Sequence, residues 1–120
     1  MEFCWTTFEV KDIQRSIDFY HGLLGLKIDR QWSGSSGAQL AMLGEKGGPM
    51  LELFQRNDPG DLAGAGKGVT IGLKLDNIDE LLDELKDMPE VNLKGPTSPN
   101  ERTTFYFIND PDGYAVQLIK

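Results

Sequence analysis

Along this chain, the pattern of hydrophobic and polar positions predicts the same order of strands and helices twice. The aromatic and β-branched segment at residues 3–10 predicts a strand, because such side chains pack well on a pleated sheet. Apolar residues then recur at helical spacing, which predicts a helix over Asp12–Leu24 with Asp12 as its N-cap. Three further segments bounded by glycine-containing turns predict strands at 26–32, 38–43 and 50–55.

The second half of the chain starts the same order again. The alternation at residues 69–75 predicts a strand, and an apolar stripe predicts a helix over Asn77–Met88. Asn77 and Glu80 have the spacing of a capping box, and the glycine and prolines of residues 95–100 indicate a loop. Further strands are predicted at 91–93, 103–108 and 114–119.

This repeated order predicts a single α+β domain over residues 1–120, built from paired βαβββ modules. The modules are expected at about 1–55 and 68–120. Between them, the polar and glycine-rich residues 56–67 indicate a linker or a mobile flap.

Composition narrows the class of protein. The 120 residues include 19 acidic and 12 basic side chains, a formal net charge of −7, without a lysine or arginine stripe. This charge disfavours binding to nucleic acid or to an anionic membrane. The single cysteine, Cys4, excludes an internal disulfide and a cysteine-rich zinc site, and we expect it to be a small buried hydrophobe. Without a signal peptide or an apolar run near the ~18 residues of a membrane helix, a cytoplasmic protein is expected.

Alternate residues of a strand lie on opposite faces of a sheet, so each predicted strand has two distinct faces. One face of each is apolar, and the other mixes aromatic, small and polar groups. A concave, partly wet cavity fits this mixture; a half-exposed sheet and a sheet covered by a dimer partner are the alternatives. The mixed faces carry Trp5 in the first strand, Glu52 and Phe54 in the fourth, Thr70 in the fifth and Gln117 in the last.

Four segments carry a family resemblance that spans nearly the whole chain. They are VKDIQRSIDFY at 10–20, LLGL at 23–26, LDNIDEL at 75–81 and FINDPDGYAVQL at 107–118. Together they resemble the glyoxalase/bleomycin resistance protein/extradiol dioxygenase group, the vicinal oxygen chelate superfamily. The resemblance implies paired βαβββ modules whose mixed sheets curl into a cup with the helices on the outer face. It also implies a homodimer.

The resemblance implies a metal site on the inner face of the cup. Glyoxalase-like members hold the metal with His or Gln, Glu, His or Gln, and Glu, and these positions fall on Trp5, Glu52, Thr70 and Gln117. In dioxygenase-like members His, His and Glu would fall on the first, third and fourth of these. Only Glu52 is a good ligand here, and Gln117 offers one amide oxygen. Because divalent sites usually need three or more protein ligands, we expect no tightly bound metal and no other cofactor.

These observations support three functions. The first is binding of a small organic molecule in the cup by Trp5, Glu52, Phe54, Thr70 and Gln117. The second is a lactoylglutathione lyase-like or other lyase or isomerase activity with Glu52 as catalytic general base. The third is a dimeric interaction or regulatory module. For Glu52 a structural pairing with Lys74, Arg102 or Gln117 is the alternative, and the single histidine, His21, is expected on the helix surface.

Overall fold

The first strand of the chain forms the edge of a mixed sheet. The computed structural model describes residues 1–120 and divides into two units, an N-terminal unit of Met1–Ala63 and a C-terminal unit of Gly64–Lys120. In the N-terminal unit the strand order is β1-β4-β3-β2, with β1 parallel to β4 and the other pairs antiparallel. Its elements are β1 (Trp5–Glu9), α1 (Ile13–Ile17), a π-helical continuation (Asp18–Leu23), β2 (Ile28–Ser33), β3 (Gln39–Leu43) and β4 (Met50–Gln55).

The C-terminal unit has the same topology. Its strand order is β5-β8-β7-β6, with β5 parallel to β8 and the other pairs antiparallel. The predicted α+β class and the repeated βαβββ order are confirmed. Its elements are β5 (Thr70–Lys74), α2 (Ile78–Leu85), a 3₁₀ turn (Pro89–Val91), β6 (Lys94–Asn100), β7 (Thr103–Asn109) and β8 (Ala115–Ile119).

Helix α1 begins as the sequence predicts. The Asp12 carboxylate accepts hydrogen bonds from the backbone N–H groups of Gln14 and Arg15 at 3.0 and 3.3 Å, which satisfies two free donors of the first turn. From Asp18 the helix widens to π geometry, which the periodicity did not predict. This wider turn buries Phe19 and Tyr20, whose rings meet edge to face with centroids 4.9 Å apart.

Helix α2 buries the predicted apolar stripe, but its ends differ from the prediction. Asn77 makes no side-chain capping hydrogen bond, so the predicted capping box is wrong. The helix ends at Leu85, three residues earlier than expected, and a 3₁₀ turn begins at Pro89. Proline disfavours helical backbone in the residue before it, which explains why the helix does not reach Met88. The buried residues are Ile78, Leu81, Leu82 and Leu85.

The segment after α2 was predicted wrongly. Residues 91–93 do not form the expected strand, and the proline-containing residues 95–100, expected as a loop, belong to β6. β6 is the edge strand of its sheet. An edge strand leaves one side of its backbone unpaired, so prolines are tolerated there.

The apolar strand faces form the core of each unit. In the N-terminal unit Phe8, Val10, Leu51 and Leu53 are buried, as predicted from alternation. In the C-terminal unit the buried strand residues are Ile108, Val116 and Leu118. Cys4 precedes β1 and is exposed, so the expectation that it is buried is wrong. The chain there lies before the first paired residue of the edge strand and is not covered.

Backbone packing fixes part of the glycine-rich segment. Gly66 has a positive φ of 73°, and a Cβ at this position would lie 2.7 Å from Cε1 of the buried Tyr114. The Gly66 backbone therefore rests directly on the Tyr114 ring, which only glycine permits.

Candidate ligand-binding face

The strand registers of the N-terminal unit align one row of side chains across the whole sheet. Thr7 pairs with Glu52, Glu52 with Met42, and Met42 with Arg30. A second row runs beside it from Glu9 through Phe54 and Leu40 to Trp32. We call these two rows, with Trp5 and Met50 at their end, the open face; they lie on the side of the sheet opposite the buried Phe8, Leu51 and Leu53.

Glu52 occupies the middle of the open face. Its side chain is half-buried, and its Oε1 accepts a hydrogen bond from Thr7 Oγ1 at 2.9 Å. The other oxygen, Oε2, receives no hydrogen bond from the protein. This oxygen is not closed off from solvent, so it can accept a hydrogen bond from the donor group of a ligand.

Aromatic side chains share a sheet face with this carboxylate, and an arginine lies over one of them. Phe54, next but one to Glu52 along β4, is half-buried, and the Arg56 guanidinium lies 6.0 Å from its ring centroid while pairing with Glu9. Trp5 is 53% exposed. A cleft of about 240 Å³ adjoins Phe54, lined also by Ser36, Ala38, Arg56, Asn57 and Asp58.

The C-terminal sheet repeats these positions with different residues. Gln117 pairs with Gly72 and Phe107, as Glu52 pairs with Thr7 and Met42 in the other sheet. Gln117 is half-buried, and its amide makes no hydrogen bond. Gly72 cannot supply the hydroxyl that Thr7 supplies, so Gln117 lacks the support that Glu52 has.

Thr70 occupies the first position of its edge strand, as Trp5 does of β1. It is exposed and lines a cleft of about 360 Å³ within the C-terminal unit, together with Ala115, Asp112, Gly113 and residues 64–69. This volume falls within the ~300–1,000 Å³ typical of small-molecule sites.

The structure thus gathers three predicted residues, Trp5, Glu52 and Phe54, on one face of the N-terminal sheet, and two, Thr70 and Gln117, on one face of the C-terminal sheet. That all five contact one ligand stays a prediction. Sequence reasoning missed Thr7, which donates to Glu52, and Arg30, which lies in the same row. Alternation already placed Thr7 on the face of Trp5, but only the β1–β4 register sets it beside Glu52.

The four metal positions implied by the resemblance do not fit a divalent ion. The Trp5 indole is a donor only, and Thr70 offers a neutral hydroxyl, a weak ligand for such metals. Glu52 already uses one oxygen for Thr7. No group of three or more His, Cys, Asp or Glu side chains is placed to hold a metal ion. Helices that could span a membrane are also absent from the structure.

His21 is exposed on the helix surface, as expected. Its Nδ1 lies 2.8 Å from the backbone carbonyl oxygen of Leu26. This contact ties the end of the π-helical segment to the residues that lead into β2, a structural role.

Comparison with known proteins identifies the family. Residues 4–118 match the model of the Glyoxalase/Bleomycin resistance protein/Dioxygenase superfamily. A probable lactoylglutathione lyase from Synechocystis sp. is 32% identical over 122 residues, covering 96% of this chain and 92% of that protein.

Solved structures agree in fold. The trypanothione-dependent glyoxalase I of Leishmania major is 26% identical, covers 100% of this chain and 86% of its own, and superposes with a TM-score of 0.72. An antibiotic-binding protein from Streptomyces sp. CB03234 is 22% identical, with coverage of 98% and 93% and a TM-score of 0.71. The chain belongs to the Glyoxalase/Bleomycin resistance protein/Dioxygenase superfamily.

Proposed function

We propose that this protein binds a small organic molecule on the open face, without a tightly bound metal, and that Glu52 accepts a hydrogen bond from the ligand. One observation carries the proposal: Thr7 holds one oxygen of the half-buried Glu52 and leaves the other without a donor. Phe54 and Trp5 supply apolar area beside this acceptor. The combination suits a flat, partly apolar molecule with a donor group.

The proposal extends to Thr70 and Gln117, which occupy matching register positions in the C-terminal sheet. The unpaired amide of Gln117 offers both a donor and an acceptor. The antibiotic-binding relative from Streptomyces supports the proposal only by precedent, since it has the same fold and is named for binding a small molecule.

A fluorescence titration tests ligand binding. The probes are 2-naphthylamine, which brings a donor to a flat body, and 2-methylnaphthalene, which does not. We expect 2-naphthylamine to quench tryptophan emission and to bind more tightly. Glu52→Ala should weaken its binding by about 10- to 150-fold, the equivalent of ~1.5–3 kcal/mol for a hydrogen bond to a charged group.

The matched control is Glu45→Ala, which removes an exposed carboxylate in a 3.7 Å surface pair with Lys27. Such pairs contribute little, so this variant should bind as the parent does. Equal affinity of both probes for the parent, or no effect of Glu52→Ala, would reject the open face as the binding site.

The second candidate is a lyase or isomerase activity, favoured by the name of the Synechocystis relative at 32% identity. Here Glu52 would take a proton from a carbon beside a carbonyl and return it to the neighbouring position of the same substrate, so no co-reactant is consumed. The assay uses the hemithioacetal of methylglyoxal and glutathione, with chelator and with added Ni²⁺ or Zn²⁺. Turnover that disappears in Glu52→Gln supports this candidate; binding of 2-naphthylamine without turnover supports the binding function.

The third candidate is a dimeric interaction module. Trp5, the first residue of the edge strand β1, is 53% exposed, and Phe3, two residues before it, is 69% exposed. Large apolar side chains at an unpaired sheet edge favour a partner, and a symmetric homodimer is the commonest closed assembly. We propose a homodimer, which is compatible with either of the other two functions.

A further inference from the structure

Arg30 is a cation on the open face without an acidic partner. It lies on the edge strand β2, is exposed, and its Cζ lies 4.6 Å from the centroid of the Trp32 ring. The chain has 19 acidic residues, yet none forms an ion pair with Arg30. Arg56, by contrast, pairs with Glu9.

Stacking on Trp32 prepares the Arg30 guanidinium for an oxyanion. A stacked guanidinium uses its flat face, which leaves the N–H groups at its edge free to donate. Those groups form a planar fork that matches a carboxylate or phosphate with two parallel hydrogen bonds. The indole also limits the conformations of the arginine, so less entropy is lost when an anion binds.

The register sets the distance from this cation to the acceptor on the same face. Arg30 and Glu52 lie in one row, separated by the buried Met42 on the strand between them. Two strand spacings of ~4.8 Å put their backbones about 10 Å apart. Alongside, the half-buried Trp32, Leu40 and Phe54 form a continuous apolar strip.

We propose that Arg30, stacked on Trp32, is an anion-binding position of the open face, and that the ligand is an organic acid with a flat apolar body and a hydrogen-bond donor at its far end. The acid group binds Arg30, the body lies along the apolar strip, and the donor reaches Glu52. This inference rests on the proposed binding function and adds the chemical class of the ligand.

Calorimetric titrations of the full chain with three probes distinguish the contribution of Arg30 to binding from that of Glu52. They are 6-amino-2-naphthoate, with acid and donor; 2-naphthylamine, with the donor alone; and 2-naphthoate, with the acid alone. We expect 6-amino-2-naphthoate to bind about 10- to 100-fold more tightly than 2-naphthylamine, the range for a hydrogen bond to a charged group.

Variants of Arg30 test whether this side chain causes the tighter binding of 6-amino-2-naphthoate. Arg30→Gln should remove the advantage of 6-amino-2-naphthoate and leave 2-naphthylamine unchanged. Arg30→Lys keeps the charge but loses the fork, so it should keep only part of the advantage. Arg15→Gln, an exposed arginine on α1, is the matched control and should behave as the parent. Circular dichroism checks that each variant is folded.

The outcomes distinguish this inference from the proposed function. If Arg30→Gln leaves the advantage of the acid intact, or Arg15→Gln removes it equally, the anion position is overturned. The binding function survives that result as long as Glu52→Ala weakens 2-naphthylamine. If none of the three probes binds the parent, both proposals fail.

Discussion

Thr7 and Glu52 lie side by side on the adjacent parallel strands β1 and β4, and the Thr7 hydroxyl donates to the Glu52 carboxylate at 2.9 Å. The matching pair in the C-terminal sheet is Gly72 and Gln117, where a Cβ on the glycine would lie 3.5 Å from the amide oxygen. One polar side chain is therefore held by its neighbour, and its counterpart is not. This difference gives the two sheets distinct chemistry at equivalent positions.

Thr7→Val should weaken binding of 2-naphthylamine by about two- to tenfold, because it keeps the branched shape and removes a hydrogen bond with a net value of ~0.5–1.5 kcal/mol. Thr7→Ser keeps the hydroxyl and should restore most of the affinity. The measurement is a calorimetric titration of each variant. If the serine variant binds as weakly as the valine variant, Thr7 does not act through its hydroxyl on Glu52.

Metal content should stay well below one divalent ion per chain, because two of the four family positions carry Trp5 and Thr70. The melting temperature of the parent and of Glu52→Gln should then be unaffected by chelator. A bound metal at a thousand times its dissociation constant would add ~4 kcal/mol of stability, which melting curves would reveal. Elemental analysis giving about one ion per chain, lost in Glu52→Gln, would contradict this prediction.

Gly66→Ala should destabilise the fold by about 1–3 kcal/mol from overpacking alone, because the new methyl group would strike the Tyr114 ring. A further cost comes from the positive φ of 73°. Gly64→Ala is the control, since Gly64 has a similar φ of 80° and open space around its Cβ position. Urea unfolding measures the free energy of unfolding of both variants. If the two variants lose the same amount of stability, Tyr114 does not constrain this segment.

Phe3→Lys should shift the protein from dimer towards monomer, because it places a charge in the exposed apolar group at the edge of β1. Ser35→Lys adds the same charge at an exposed turn and should leave assembly unchanged. Sedimentation velocity at several concentrations gives the mass of each. A parent that stays monomeric at high concentration rejects the homodimer.

The fold of each half could be predicted from the sequence because the signals for it are local. Alternation decides which side chains share a strand face, and this placed Phe8, Leu51 and Leu53 in the core as observed. The Asp12 cap follows from neighbouring residues alone. Burial strongly favours the strand orientation in which the apolar side chains face the core. A shift of the strand pairing by one residue would expose all of these apolar side chains to water.

The errors came from features that depend on distant residues. Prolines at 96 and 99 indicated a loop, yet the topology makes this segment an edge strand, where missing N–H groups are tolerated. The π-helical turn at Asp18–Leu23 was equally out of reach. Its apolar residues fit an ordinary helix just as well, and tertiary packing decides between the two.

The same division applies to the site. The sequence alone determined that Glu52 lies on the mixed face of its strand and that the other three metal positions implied by the family resemblance lack a good ligand. Only the tertiary structure decided that Thr7 donates to Glu52 and that Arg30 shares its row. Which residues share a strand face follows from the sequence of that strand alone. The register, by contrast, depends on how strands that are distant in sequence pair. That pairing is set by the packed sheet as a whole.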